Sequence, residues 1–238
     1  MHGAATIVQQ GAKTTITTLN GAGTSHSAIN WQSFSVPVGT AVQFVQPSAG
    51  STSINRVLGP DPSAIFGTLS SNGRLVLVNP AGITVGSGAV VDTAAFTAST
   101  LRMRDADAVA GRLAFGDGSL GGSLSVSGQV IARSGDLVLI SPDAQVGAGA
   151  LLQAPNGTAI VAAGRQVALT GRGLEGIQLL MQAPADQALV LGTLTGDAVG
   201  VFAGTLRHSG LVHASAVSSD GGKVVIKGGA ALDLAGTV

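Results

Sequence analysis

Beyond Leu124 the chain repeats one pattern, short apolar runs broken by Gly, Ser, Asn and Asp. "LSVSGQVIA", "DLVLI", "AQVGAGALLQA", "GTAIVAAG", "QVALTG", "QALVLG", "VGVFAG", "LVHASAV" and "KVVIKG" follow one another in order. Each run has the length of a strand, and their spacing of about 8–12 residues predicts an all-β sandwich, barrel or solenoid. No apolar stripe recurs at the 3.6-residue spacing of a helix, and Gly and β-branched residues dominate. Helix is therefore expected in less than about a fifth of the chain.

An internal echo chooses among these architectures. "RLVLVNPAGITVGSGAVVD" (74–92) matches "DLVLISPDAQVGAGALLQA" (136–154). Leu75-Val76-Leu77-Val78 aligns with Leu137-Val138-Leu139-Ile140, and Asn79-Pro80 with Ser141-Pro142. Val85-Gly86 aligns with Val146-Gly147, one residue out of step, and a looser third copy begins in "GGKVVIKGGAALDL" (221–234). Units of this kind cannot bury an apolar face alone and must stack on their neighbours. With so much Val, Ile, Leu and Ala, the expectation is a parallel β-helix, with coils of roughly 20 residues stacked about 4.8 Å apart. Proline cannot donate to a sheet ladder. The break at Asn79-Pro80, between "RLVLV" and Ile83, is accordingly read as a corner where the chain changes sheet, with Gly82 supplying backbone freedom.

The first seventy residues are less regular. "ATIVQQ" and "TTITTL" read as paired strands around "GAK", and "INWQSFSV" brings the single Trp, Trp31, close to Ile29 and Phe34. An open β-helix end exposes unpaired backbone, so this segment is read as an N-terminal β cap carried by Trp31 and Phe34. Three residues apart, the two rings would face opposite sides of a regular strand, so burying both requires a bend. The expected organisation is one domain over 1–238, with the cap and first coils in 1–70 and stacked coils in 71–238. "GGAALDLAGTV" stops in mid-pattern, which suggests a piece of a longer protein.

Composition narrows the function. Lys+Arg and Asp+Glu number 12 each and charged residues make up 10%, so no basic patch for phosphates is expected and nucleic acid is excluded as a partner. Six Phe, one Trp and no Tyr leave little for an aromatic stacking platform. Cysteine is absent, which suits a chain that crosses an oxidising compartment without being locked by disulfides. No apolar run reaches the 18 or so residues of a membrane helix. Residues 1–13 have no basic stretch followed by an apolar one, so no signal peptide is read there.

Candidate chemistry is sparse. Two G-x-G-x-x-G matches, at 116–121 and 171–176, lack the strand–turn–helix context of a dinucleotide site. "RMRDAD" (102–107) groups Arg102, Arg104, Asp105 and Asp107, and is read as a solvated loop between coils rather than a carboxylate pair facing a groove. His2, His26, His208 and His213 have no further ligand at metal spacing and are read as exposed loop residues. The expectation is no catalytic residue, no metal and no cofactor. Asn55 and Arg56 interrupt the apolar run "INRV". Asn55 is expected to bond neighbouring backbone while Arg56 points outward, the alternative being contact with a partner.

Taken in order, "INWQSF", "INRV", "SNG", "NPAGI" and "FTAST" resemble the N-terminal secretion domain of two-partner-secretion exoproteins, the filamentous-haemagglutinin type. Within it, the chain is similar to the high-molecular-weight adhesin and haemopexin-binding branch. Ile29-Asn30-Trp31 with Phe34 matches the family's "I-x-W-x-x-F", Ile54-Asn55-Arg56-Val57 its "NRV", Ser71-Asn72-Gly73 its "SNG", and Asn79-Pro80-Ala81-Gly82-Ile83 its "NPNGI". Ala81 departs from the usual Asn. The resemblance implies a right-handed parallel β-helix with an N-terminal β cap and short extra-helical hairpins. It implies a monomeric, non-enzymatic secretion and folding-nucleation module, exported through the periplasm to the surface of a Gram-negative bacterium. The implied partner is a TpsB-type outer-membrane pore of the Omp85 superfamily, whose periplasmic POTRA domains recognise the region before it folds. Asn55, Arg56, Asn72, Gly73, Asn79, Pro80, Gly82 and Ile83 are the implied recognition residues. The alternative function is an adhesin surface that itself binds host or matrix glycans.

Overall fold

Ser53 pairs in parallel with Leu75, and Leu75 with Phe96, so one turn of the coil takes 22 and then 21 residues. The structure, a computed structural model, describes residues 1–181, 185–215 and 223–237. Strands hold 59% of the residues and helix 4%, within the expected bound on helix.

Three stacks of parallel strands form the faces of a β-helix. The first face runs through Lys13–Leu19, Ala41–Val45, Thr68–Ser71, Val90–Thr93 and Gln129–Ala132, and continues to Leu211–Ala214. The second runs through His26–Trp31, Thr52–Val57, Arg74–Val78, Ala95–Ser99 and Leu137–Ser141. The third includes Ser63–Ile65, Ile83–Val85, Ser123–Val126, Asp143–Val146 and Gln187–Val190. The long strands Leu151–Ala163, Thr193–His208 and Lys223–Leu234 each turn from one face to the next.

Alternation along a strand sends every second side chain inward, and stacking lines these up. Val42, Leu69, Val91, Val130, Leu152, Leu194 and Val212 form one such column on the first face, all buried. Each contributes about 1.5–3 kcal/mol relative to exposure. The internal echo lies in register: Leu75 stacks under Phe96 and Phe96 under Leu137, while Val85, Val126 and Val146 share a column on the third face. The one-residue mismatch between the copies is the longer corner at Ala81-Gly82. Residues 221–222 of the third copy lie outside the described residues, but Val224 and Ile226 continue the second face.

The second face is buried on both sides. Residues 100–122 leave the coil at the corner after this face and return at the start of the third, and the chain leaves again at 164, so Phe96 pairs with Leu137, 41 residues on, and Ala159 with Val199, 40 on. The first insertion supplies the helix Asp105–Ala110 and the strand Leu113–Phe115. The second supplies the hairpin Gln166–Leu169 and Ile177–Leu180, and the three strands make a small antiparallel sheet. Together they cover the outward residues Ile54, Val76, Val138, Ile140 and Ile160 with Met103, Ala108, Phe115 and Val167. Here the expectation of a solvated loop at 102–107 holds only in part, since Arg102, Arg104 and Asp105 are exposed but the segment is not all loop. Asp105 opens a helix whose Ala108 is buried, and Met103 is sealed beneath it, because the outer apolar surface of the second face needs a cover.

At the N-terminal end, Ala4–Gln10 and Lys13–Leu19 form the expected hairpin around Gly11-Ala12, with Gly11 at φ 57°. A Gly at the first of two loop residues with φ > 0 suits a type II′ turn. The histidine reading is corrected as well. His208 and His213 both sit in strands, and His208 points into the β-helix interior at 2% exposure, in the column of Val146 and Val190.

Candidate functional site

The motif residues cluster at the corners of adjacent coils. Asn79 ends Arg74–Val78 and is fully buried. Its Oδ1 accepts the Ala81 N–H at 2.9 Å, closing the turn, and its Nδ2 donates to the Asp61 carbonyl (3.0 Å) and Ser63 Oγ (2.9 Å) of the preceding coil. Side chains of this kind mimic a backbone turn. Ser99 and Ser141 repeat the device on later coils, their Oγ accepting the N–H of Leu101 (3.0 Å) and Asp143 (3.1 Å). Pro80 and Ala81 are half-buried. Gly82 has φ 129°, a conformation that disfavours any side chain, and Ile83 re-enters the core at 1% exposure, paired with Leu124.

At the opposite corner of the second face, Asn72 clamps the coil before it. Its Oδ1 accepts the Gln46 N–H (2.7 Å) and its Nδ2 donates to the Gln46 carbonyl (2.8 Å). Gln46 is itself buried and donates to Ser71 Oγ and the Arg74 carbonyl, both at 2.9 Å. A Cβ on Gly73 would lie 2.6 Å from the Gln46 side chain, which accounts for glycine there.

Asn55 points inward at 1% exposure. It accepts the Trp31 indole N–H at 2.9 Å and donates to the carbonyl and hydroxyl of Ser53, both at 3.1 Å. Arg56 is on the outer side, as expected, yet only 7% exposed, because it pairs with Asp105 at the start of the short helix. The Trp31 and Phe34 rings meet at 5.6 Å, and Phe34 and Phe44 at 6.1 Å. The strand ends at Trp31 and bends, so both rings face the interior of the first coil. The sheet edge on the first face is covered by the β hairpin and not by these rings.

The candidate site is thus a set of coil-to-coil staples rather than one pocket. Sequence reasoning missed Gln46 and Ser63, the partners of Asn72 and Asn79, and singled out Asp105 without pairing it to Arg56. Ser63 and Asp105 are ordinary polar residues in polar segments, and nothing local marks Gln46 in "VQPSAG". The two G-x-G-x-x-G segments lie outside the coils, in the loop after Leu113–Phe115 and in the hairpin turn with the three-residue 3-10 helix Leu174–Gly176. Asp105 and Asp107 are both paired, to Arg56 and to Arg112 (2.9 Å). Beside the Asn79 corner, an open cavity of about 400 Å³ is lined by Leu58, Pro80, Ala81, Arg102 and Leu120 among others.

Comparison with known proteins agrees with this architecture. The secretion domain of HMW1 from Haemophilus influenzae superposes with a TM-score of 0.82 at 29% identity, covering 94% of this chain and 60% of that one. The filamentous hemagglutinin secretion domain gives 0.59 at 15% identity, covering 100% and 98%, and shares the fold. Two Haemophilus influenzae heme/hemopexin-binding proteins are 39% identical over 77 residues and 36% identical over 78, about a third of this chain. The chain spans 8% of the length of each. The family model of the TPS secretion domain matches residues 2–238, and with the stacked coils and their stapled corners it leaves one conclusion: this chain belongs to the TPS secretion domains of two-partner secretion.

Proposed function

We propose that this domain is the secretion and folding-nucleation module of a large exported protein, read by a TpsB-type pore while still extended. The single observation carrying this reading is the burial of the motif residues. Asn55, Asn72 and Asn79 bond neighbouring coils, and Asn55, Asn79 and Ile83 are at most 1% exposed. A folded domain hides Asn55, Asn79 and Ile83 and leaves only Asn72 and part of Pro80 in view, whereas an extended chain presents all of them. The same residues serve twice, first as a label for the POTRA domains in the periplasm and then as inter-coil staples outside the cell. Folding removes the label, which favours release.

The test is binding of isolated POTRA domains to the domain in its native and its urea-unfolded, diluted states. Preference for the unfolded state by about tenfold or more is expected, and Asn79→Ala with Pro80→Ala should weaken it and lower export through the cognate pore. Equal or tighter binding of the native domain would overturn the reading. An adhesin surface for host glycans has less support. Among the described residues, Phe66 is the one aromatic ring counted with the exposed large apolar side chains, at 42%.

A further inference from the structure

The strand Ala4–Gln10 pairs with Lys13–Leu19 through all seven residues and has no described neighbour on its other side. Because Gln10 and Lys13 flank a two-residue loop, they form a hydrogen-bonded pair, and the alternation of an antiparallel ladder then fixes the rest. Ala4, Thr6, Val8 and Gln10 bond inward to the hairpin, while Ala5, Ile7 and Gln9 turn N–H and C=O to the free edge. Six of the seven residues are exposed, with Ile7 at 54% and Val8 at 48%. Natural edges are guarded by charge, proline, a bulge or shortness. "AATIVQQ" has no charge and no proline, and its register with the next strand is unbroken.

We propose that this edge is a self-association surface, taken by the same strand of a second copy in antiparallel pairing about a two-fold axis through Ile7. The symmetry of the edge selects this occupant. The three outward residues are centred on Ile7, so the axis sets Ile7 against Ile7, Ala5 against Gln9 and Thr6 against Val8. About six hydrogen bonds then satisfy every free backbone group on both strands. A two-fold axis opposes like to like, which penalises a charged strand. This strand has no charge to oppose, and the exposed Ile7 of one copy meets Ile7 of the other at the centre. The expectation of a monomer, drawn from resemblance, is replaced by a weak, reversible dimer.

Sedimentation equilibrium of the full chain tests it, with a dissociation constant on the order of 10–100 μM expected for so small an interface. Ile7→Lys places two ammonium groups at the axis and should weaken association at least about tenfold. Ile7→Pro removes only an outward N–H and should do the same while leaving the hairpin bonds to Thr6 and Val8. Both variants should keep the wild-type circular dichroism and denaturation midpoint. The chain has no cysteine, so Ile7→Cys should cross-link under mild oxidation, since opposed residues of such a pair lie about 5.5 Å apart. Val38→Cys, at an equally open site (79% exposed), should not. A wild-type monomer at ~1 mM, or a dimer indifferent to both Ile7 substitutions, overturns the proposal. So does a monomer whose Ile7 amide gains exchange protection only on adding isolated POTRA domains, which would give the edge to the transporter instead.

Discussion

Asn79 uses its side chain internally, on the Ala81 N–H, the Asp61 carbonyl and Ser63 Oγ. Removing it leaves buried groups unpaired, so Asn79→Ala should cost about 1–3 kcal/mol, seen as a lower denaturation midpoint at unchanged m-value. Asn79→Asp should cost at least as much, because a carboxylate cannot donate to Asp61 or Ser63 and is itself buried. His208 provides a second prediction. Among the described residues no group meets either ring nitrogen in good hydrogen-bond geometry, and burial pushes the pKa below the ordinary histidine value, with a weaker opposing pull from the nearby Val190 carbonyl. With the folded pKa depressed, the unfolded chain binds the proton more readily once pH falls through its own value of about 6.5. Stability should be full above that pH and decline below it. His208→Leu should flatten urea midpoints measured between about pH 7.5 and pH 5, and an unchanged slope would show that other groups set it.

Two kinds of strand stand out at the scale of elements, and the sequence distinguishes them. On the first face, "VVDT" alternates buried and half-buried positions, as a strand with one wet side must. On the second face, "LVLV" and "LVLI" are apolar without a break and buried throughout. Continuous apolar runs signal parallel strands covered on both sides, so the need for an outer layer was legible in those runs. The layer itself was not. Leu113–Phe115 is three residues long and pairs with a strand beginning at Gln166, a separation that no local pattern encodes. The corner at Asn79-Pro80 was legible because proline and glycine punctuate locally. Its partners Asp61 and Ser63 belong to another coil and were not. Phe115 tests the layer. At 2% exposure in the outer core, its truncation to Ala should cost about 3–5 kcal/mol. Amide exchange should rise first in Leu113–Phe115, Gln166–Leu169 and Ile177–Leu180, while the inner columns stay protected. Uniform loss of protection would mean that layer and coil are one cooperative unit.

Across the whole molecule, the single Trp sits at one end of a stack in which each coil touches its neighbours. Trp31 fluorescence therefore reports the first coils, while far-ultraviolet circular dichroism averages over all of them. Stacked repeats sum local terms and interface terms, so Trp31→Phe should lower the midpoint by removing the indole bond to Asn55. An Asn55→Ala variant should show the tryptophan transition preceding the dichroism transition. Coincident transitions would mean that the stack melts as one body.

The direction of the staples carries one more consequence. Asn55 reaches back to Trp31, Asn72 to Gln46 and Asn79 to Asp61 and Ser63. Each later residue finds a partner already laid down, from 16 to 26 positions earlier. A chain leaving a narrow opening amino end first could lock each turn as soon as it emerged, without waiting for sequence still inside. Every closed turn would be too wide to slip back, so thermal motion would become net outward movement. The corners would then act as the pawls of a ratchet driven by folding, with no fuel consumed at the membrane.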